Sequence, residues 1–276
     1  SNATACLPPC IHRRTWRSAW RCCQSASARC SRTSSRAGRR ALAAHGADVL
    51  LVNSPHLPNI EAIAETGRGK LSAHADLRQP AERAAFERVL RDAHVFVQGY
   101  RPGGLQALGY GAEALAERHP GLVVVSLSAY GAAGPWAGRR GFDSLVQTAS
   151  GFNHAEAQAF GSGPPRALPM QILDHATGHL MALAACAGLW RQQREGGSWH
   201  VHVSLARTGL WLRSLGRVAD GFAAPKPDFT PYLETSDSSF GRLTALHHAA
   251  RLSHTATDWP RPSVPLGTHA LAWPAP

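Results

Sequence analysis

Three short apolar runs constrain this chain most: ADVLLVN at Ala47 to Asn53, HVFVQ at His94 to Gln98 and GLVVVSLS at Gly121 to Ser128. All three are short and rich in β-branched apolar residues. Each therefore reads as a strand covered on both sides, the habit of parallel sheets. Helical stretches at Pro80 to Asp92 and Ala112 to His119 separate them, the first opening on a proline suited to a helix start. The alternation predicts an α/β fold: a doubly wound, Rossmann-like, mostly parallel sheet with helices on both faces. Ligands then bind beyond the carboxyl ends of the strands.

Farther along, Trp199 to Leu205 alternates Trp199, Val201, Val203 and Leu205 with His200, His202 and Ser204, as a half-exposed strand does. A helix is expected from about Ala206 to Val218. After Ala219 the chain holds eight of its nineteen prolines and reads as an extended, wrapping tail with one helix near Ser238 to Leu252. The division expected is an anomalous segment at 1–40, an α/β domain at 41–218 and the tail at 219–276. No internal repeat is visible.

At 276 residues, 44% hydrophobic and 17% charged, the chain can bury a sizeable core. No uninterrupted apolar run approaches the roughly 18 residues of a membrane span, so a soluble protein without membrane contact is expected. The formal charge of +11 resembles a nucleic-acid binder's, yet nine arginines lie within the first 40 residues, before the first acid, Asp48; without them +2 remains. Cysteine is divided likewise, with only Cys186 after Cys30. That distribution suits neither a disulfide framework nor a zinc site and reads as a reduced, cytoplasmic protein.

Ser1-Asn2-Ala3 resembles the remnant of a cleaved expression tag, and the rest of the segment is rich in Arg, Ser, Cys and Trp without apolar periodicity. A transit peptide, or an arm for nucleic acid or a membrane surface carrying Trp16 and Trp20, fits that composition. So does a poorly ordered tail, or a stretch translated from a misassigned start. The expectation is that residues 4–34 add little to the core and bind no nucleic acid.

Several separated segments share an order and spacing: Arg68-Gly69-Lys70-Leu71-Ser72 leading to Asp76-Leu77; Gln98-Gly99-Tyr100-Arg101-Pro102-Gly103 leading to Leu108-Gly109; and Ser126-Leu127-Ser128-Ala129-Tyr130-Gly131 leading to Gly134-Pro135, Gly141-Phe142-Asp143 and Ser150-Gly151. Leu173-Asp174-His175-Ala176-Thr177-Gly178, then Glu195-Gly196-Gly197 and Val201 to Leu205, extend the pattern. Over roughly residues 36–218 the chain resembles class III coenzyme A transferases of the CaiB/BaiF type, which include formyl-CoA and carnitine CoA-transferases.

The resemblance implies that Asp174 attacks an acyl-CoA thioester to form an acyl-aspartyl anhydride, with an aspartyl-CoA thioester following. A carboxylate suits the exchange because its anhydride is as reactive as the thioester it replaces. From the residues alone, Asp174 opens a helical stretch reaching about Arg194 and has the identity of an N-cap. The roles are compatible, since a helix N-terminus favours the ionised carboxylate.

Coenzyme A brings phosphates, which need cations and backbone donors. The resemblance points to Lys70 and Arg101 for these, with Tyr100 near the nucleotide and Arg139 and Arg140 as further cations; surface charges and a core aromatic are the plain alternatives. Gly131 and Gly134 fit a flexible loop at the acyl group, or ordinary turns. His175 and His179 have helical ligand spacing but no acidic partner, so no metal is expected.

Coenzyme A and acyl-CoA are expected as substrates, with a carboxylic acid as acceptor and no permanently bound cofactor. The resemblance also implies a homodimer, with subunits that interlock as the family's do. An α-methylacyl-CoA racemase is disfavoured because Phe142 stands where that enzyme's proton-transferring histidine would. Family members are longer, so an inactive or partial CoA-binding module, one half of a divided transferase, is the other class of reading.

Overall fold

The computed structural model of the chain describes residues 21–24, 32–57, 61–219, 221–255 and 257–274. Six strands, β1 (Arg21–Gln24), β2 (Asp48–Asn53), β3 (Lys70–His74), β4 (Val95–Gln98), β5 (Val123–Ser128) and β6 (Trp199–Ser204), form one sheet in the order β3-β2-β1-β4-β5-β6. All five pairings are parallel. Strand order reverses between β1 and β4, so the crevice beyond their carboxyl ends is the topological switch point.

Among the described residues eight α-helices accompany the sheet: α1 (Arg32–Ala44), α2 (Ile63–Thr66), α3 (Pro80–Arg91), α4 (Ala112–Arg118), α5 (Asp143–Ala149), α6 (Phe152–Ala159), α7 (Ile172–Glu195) and α8 (Leu205–Ser214). Successive strand residues point to opposite faces, which divides the core in two. On one face Val49, Val95, Val97, Val123 and Val125 meet Leu42 of α1 and Met181, Ala185 and Leu189 of α7. On the other, Leu50, Phe96 and Val124 meet Phe86 and Leu90 of α3 and Leu115 of α4. Both α1 and α7 approach closely: a Cβ on Gly38 would strike the carbonyl of Gly178, and one on Gly188 would lie 2.6 Å from Val123. At 24 residues α7 is long and apolar enough to cross a membrane, but a little over half of its apolar stretch is buried in the protein, as in a core helix.

Three expectations are corrected. First, the arginine-rich segment takes part in the fold: β1 occupies a central position of the sheet, paired to β2 and β4, and α1 runs through the expected boundary at residue 40. A parallel strand needs only backbone pairing, and RCCQ takes its state from its neighbours rather than from its own propensity. The Ser1-Asn2-Ala3 remnant, Trp16 and Trp20 lie outside the described residues. Second, the helix expected near Ser238 to Leu252 is an antiparallel hairpin, β7 (Leu233–Ser238) and β8 (Gly241–Leu246). Its turn is set by Gly241 at φ +96° and by Ser238, whose Oγ accepts the Phe240 N–H at 3.1 Å and donates to the Gly241 carbonyl at 2.7 Å. Third, α8 ends at Ser214 rather than Val218.

Beyond the hairpin the described residues run along the amino edge of the sheet and down the outer edge of β3. Trp259 lies under the guanidinium of Arg68, 3.9 Å from its ring centre, and Arg261 pairs with Asp48 at 2.8 Å. His269 donates its N–H to the Ser72 carbonyl at 2.7 Å and its Nδ1 accepts the Ser72 N–H at 3.1 Å. This contact covers an edge strand that would otherwise offer unpaired backbone groups.

Candidate active site

Three helices begin at the carboxyl edge of β5 and β6. α8 follows β6 directly, capped by Ser204, whose Oγ accepts the Arg207 N–H at 3.2 Å. Its Ala206 amide donates to the Ala129 carbonyl at 2.9 Å, tying α8 to the loop that leaves β5. α5 and α7 start beside it, and the three pack on one another. Gly141, just before α5, has no room for a side chain: a Cβ there would lie 2.7 Å from Ala129 and 3.2 Å from the Tyr130 ring.

Asp174 sits in this cluster with 4% exposure. It stands in the first turn of α7 rather than at the N-cap, a position taken by Gln171, because the buried Leu173 and half-buried Ile172 draw the helix start three residues earlier. Its backbone N–H is one of the orphan donors of a helix N-terminus. Asp143 satisfies it: Oδ2 accepts that hydrogen at 2.7 Å, while Oδ1 accepts from the Gln147 amide. Gln147 also donates to the Met170 carbonyl at 3.1 Å and accepts the Leu168 N–H at 3.2 Å, fixing the segment that leads into α7. Asp143 is wholly buried. Burial raises its pKa above the ordinary carboxylate value, opposed by hydrogen bonds from the Asp174 amide, Gln147 and the Leu173 amide. Deeper in the cluster, Thr177 donates to Thr208 at 2.7 Å and Thr208 to the Ser204 carbonyl at 3.1 Å, locking α7 to α8.

Gly131 and Gly134, at φ +97° and +88°, shape the loop after β5. The same loop carries Arg139, stacked 4.9 Å from the Trp136 ring centre, and Arg140, both exposed. Arg101 is exposed beyond the carboxyl end of β4, at the switch point. Two candidates stand apart. Tyr100, 9% exposed, belongs to the core on the α3 face, its N–H donated to Gln98 Oε1 at 3.0 Å. Lys70 is the first residue of β3, at the opposite edge of the sheet; 1% exposed, its Nζ donates to the Thr66 carbonyl at 2.6 Å. The ammonium is enclosed at the amino edge of the sheet, away from the crevice at the carboxyl ends.

Residues 35–228 match CoA-transferase family III. The chain belongs to that family. It is 31% identical over 166 residues to the probable fatty acyl-CoA transferase Rv3272 of Mycobacterium tuberculosis, covering 58% of this chain and 42% of that protein. The crystal structure of Rv3272 in its orthorhombic form superposes with a TM-score of 0.63 at 27% identity, covering 71% of this chain and 56% of the other. With the acetyl-CoA:oxalate CoA-transferase of Acetobacter aceti it shares 34% identity over 139 residues, 50% of this chain and 35% of that enzyme. The chain thus spans less than half the length of these curated relatives.

Within this family III chain, sequence reasoning located Asp174 and took Asp143 only as a motif landmark. The signal for its wider role was the four-residue spacing of Asp143 and Gln147 at the start of a helix, which places both on one face. The pairing of His202 with Ser128, at 2.9 Å, was also missed: strand alternation put His202 on an exposed face without showing what it touches.

Proposed function

We propose that this chain carries the nucleophile of a transferase that moves coenzyme A between an acyl-CoA thioester and a carboxylic acid. The observation that carries the reading is the placement of Asp174: a nearly water-free carboxylate in the first turn of a long helix whose start is fastened by Asp143. The helix dipole favours its anionic, nucleophilic form, and exclusion of water protects a hydrolysable anhydride.

An Asp174 carboxylate oxygen attacks the thioester carbonyl carbon, the C–S bond breaks, and CoA thiolate leaves an acyl-aspartyl anhydride. The thiolate then attacks the aspartyl carbonyl, giving aspartyl-CoA and releasing the donor carboxylate. The acceptor carboxylate attacks in turn, expelling the thiolate and forming a second anhydride. Thiolate attack on its acyl carbon yields the new acyl-CoA and regenerates Asp174. Arg101 at the switch point and Arg139 and Arg140 on the loop supply cations toward the CoA phosphates.

Asp174→Asn tests this. With acyl-CoA donors, hydroxylamine should trap an acylated form of the wild type only, and transfer should vanish in the variant while CoA binding, followed by titration calorimetry, persists. An adduct on another residue, or transfer retained by the variant, overturns the assignment.

A further inference from the structure

β5 ends at Ser128, and the loop toward Asp143 leaves from there. The Ser128 hydroxyl, 3% exposed, accepts the Gly131 N–H at 2.9 Å. This bond closes the first turn of the loop where Gly131 adopts a left-handed φ of +97°. The same oxygen lies 2.9 Å from His202 Nε2. Parallel register sets His202 beside Ser126 and Ser204 beside Ser128, so the imidazole reaches along the strand to the loop's root. His200 repeats the pattern one step back, 3.0 Å from Ser126 Oγ, its ring stacked 6.2 Å from that of His202.

We infer that His202 is a positioning residue for the Gly131 loop, acting through the Ser128 hydroxyl and holding it only while the imidazole is neutral. A hydroxyl has one hydrogen to give. With Gly131 donating to Ser128 Oγ, that hydrogen goes to Nε2 of a neutral His202 protonated on Nδ1. Protonation turns Nε2 into a donor. Oγ then faces two donors, and its own hydrogen loses its acceptor in a site closed to water. The His202 ring is only partly covered, so it conveys solvent pH to the buried hydroxyl.

Partial burial, then the charge of His200, hold its pKa below the ordinary imidazole value, keeping it neutral near physiological pH. Glu113 of α4 faces His200 and pulls that ring the other way. As a positioning role in catalysis, the inference rests on the proposed function and on the expectation that the Gly131 and Gly134 loop lies at the acyl group; as a property of the loop it does not.

The test is amide hydrogen exchange in the peptide spanning residues 129–138, each variant compared with wild type at the same pH. His202→Gln keeps an acceptor near the Nε2 position and does not titrate. At about pH 8 the two should exchange Gly131 alike; at about pH 5.5 the wild type should exchange roughly tenfold faster, the factor expected for one lost buried hydrogen bond. His200→Gln should follow the wild type, and Ser128→Ala should deprotect Gly131 at every pH. Equal exchange of wild type and His202→Gln in acid, or full protection in Ser128→Ala, overturns the inference. No arm needs CoA transfer, so a missing adduct on Asp174 refutes the transferase reading alone, and a flat exchange profile refutes His202 alone.

Discussion

Asp143 Oδ2 holds the backbone N–H of Asp174 at 2.7 Å, so the first residue of α5 caps the first turn of α7 from 31 positions away. Removing the carboxyl strands buried donors of Asp174 and Gln147. Asp143→Ala should cost about 1–3 kcal/mol in urea unfolding, and Asp143→Asn less, since an acceptor for the Asp174 amide remains. Because burial raises the Asp143 pKa, its neutral form is the better tolerated in the fold. Its contribution is full below the unfolded carboxylate pKa and is lost as pH rises through the raised one. Asp143→Asn should therefore compare more favourably with wild type at about pH 8 than at about pH 4.

The close approach of α1 and α7 at Gly38 and Gly178 makes the arginine-rich segment part of the fold. Gly38→Ala should destabilise by about 1–3 kcal/mol through overpacking, read as a lower thermal midpoint. Deleting residues 1–31 removes β1 from between β2 and β4; the truncated chain should lose cooperative unfolding. A truncation as stable as the full chain would show that the strand is not needed.

What the sequence disclosed follows from where each signal came from. All six residues of β5 are buried, Ser126 and Ser128 included, so its valine-rich run was a faithful sign of a strand covered on both faces. β1 lacks that sign because RCCQ has no β-branched residue and its pairing is imposed by tertiary context. The β7–β8 hairpin was hidden by alanines and leucines that suit a helix, while Ser238 and Gly241 decided the outcome. Asp174 was legible from a local motif. The capping by Asp143 was not, since a contact 31 positions away leaves no periodic trace. For Lys70, residue type and motif suggested a phosphate ligand but carried no sign of its place at the start of β3 rather than the end, or of its burial there.

Arg68 fastens the β7–β8 hairpin to α2, donating to Glu234 Oε1 at 2.5 Å and to the Leu246 carbonyl at 2.7 Å. The guanidinium is almost fully enclosed, whereas the Glu234 side chain is 40% exposed and Glu65 remains within 3.2 Å. Glu234→Gln should therefore cost less than the loss of a partner in a fully buried pair, about 1–2 kcal/mol. Limited proteolysis should cut the hairpin region faster in the variant, with cleavage within the sheet unchanged.

The tail supplies an acid-sensitive contact of its own. His248, 8% exposed, sets its ring edge-on to His45 at the end of α1, with centroids 4.8 Å apart, and faces His179 of α7 at 6.4 Å. Burial, then the proximity of His248, holds the His45 pKa below its ordinary 6.5. Around His179 the charges of His248, Arg40 and His175 act in the same direction after burial. A depressed pKa means that the unfolded chain takes up protons first. The stability these rings contribute is present above about pH 6.5 and is lost as pH falls through their folded-state values. The unfolding midpoint in urea should thus drop between about pH 7 and pH 5, and His45→Gln should flatten that slope. Asp143 works with the opposite sign, so the comparison is best made in the Asp143→Asn background. An unchanged slope in His45→Gln there would show that the acid sensitivity arises elsewhere in the protein.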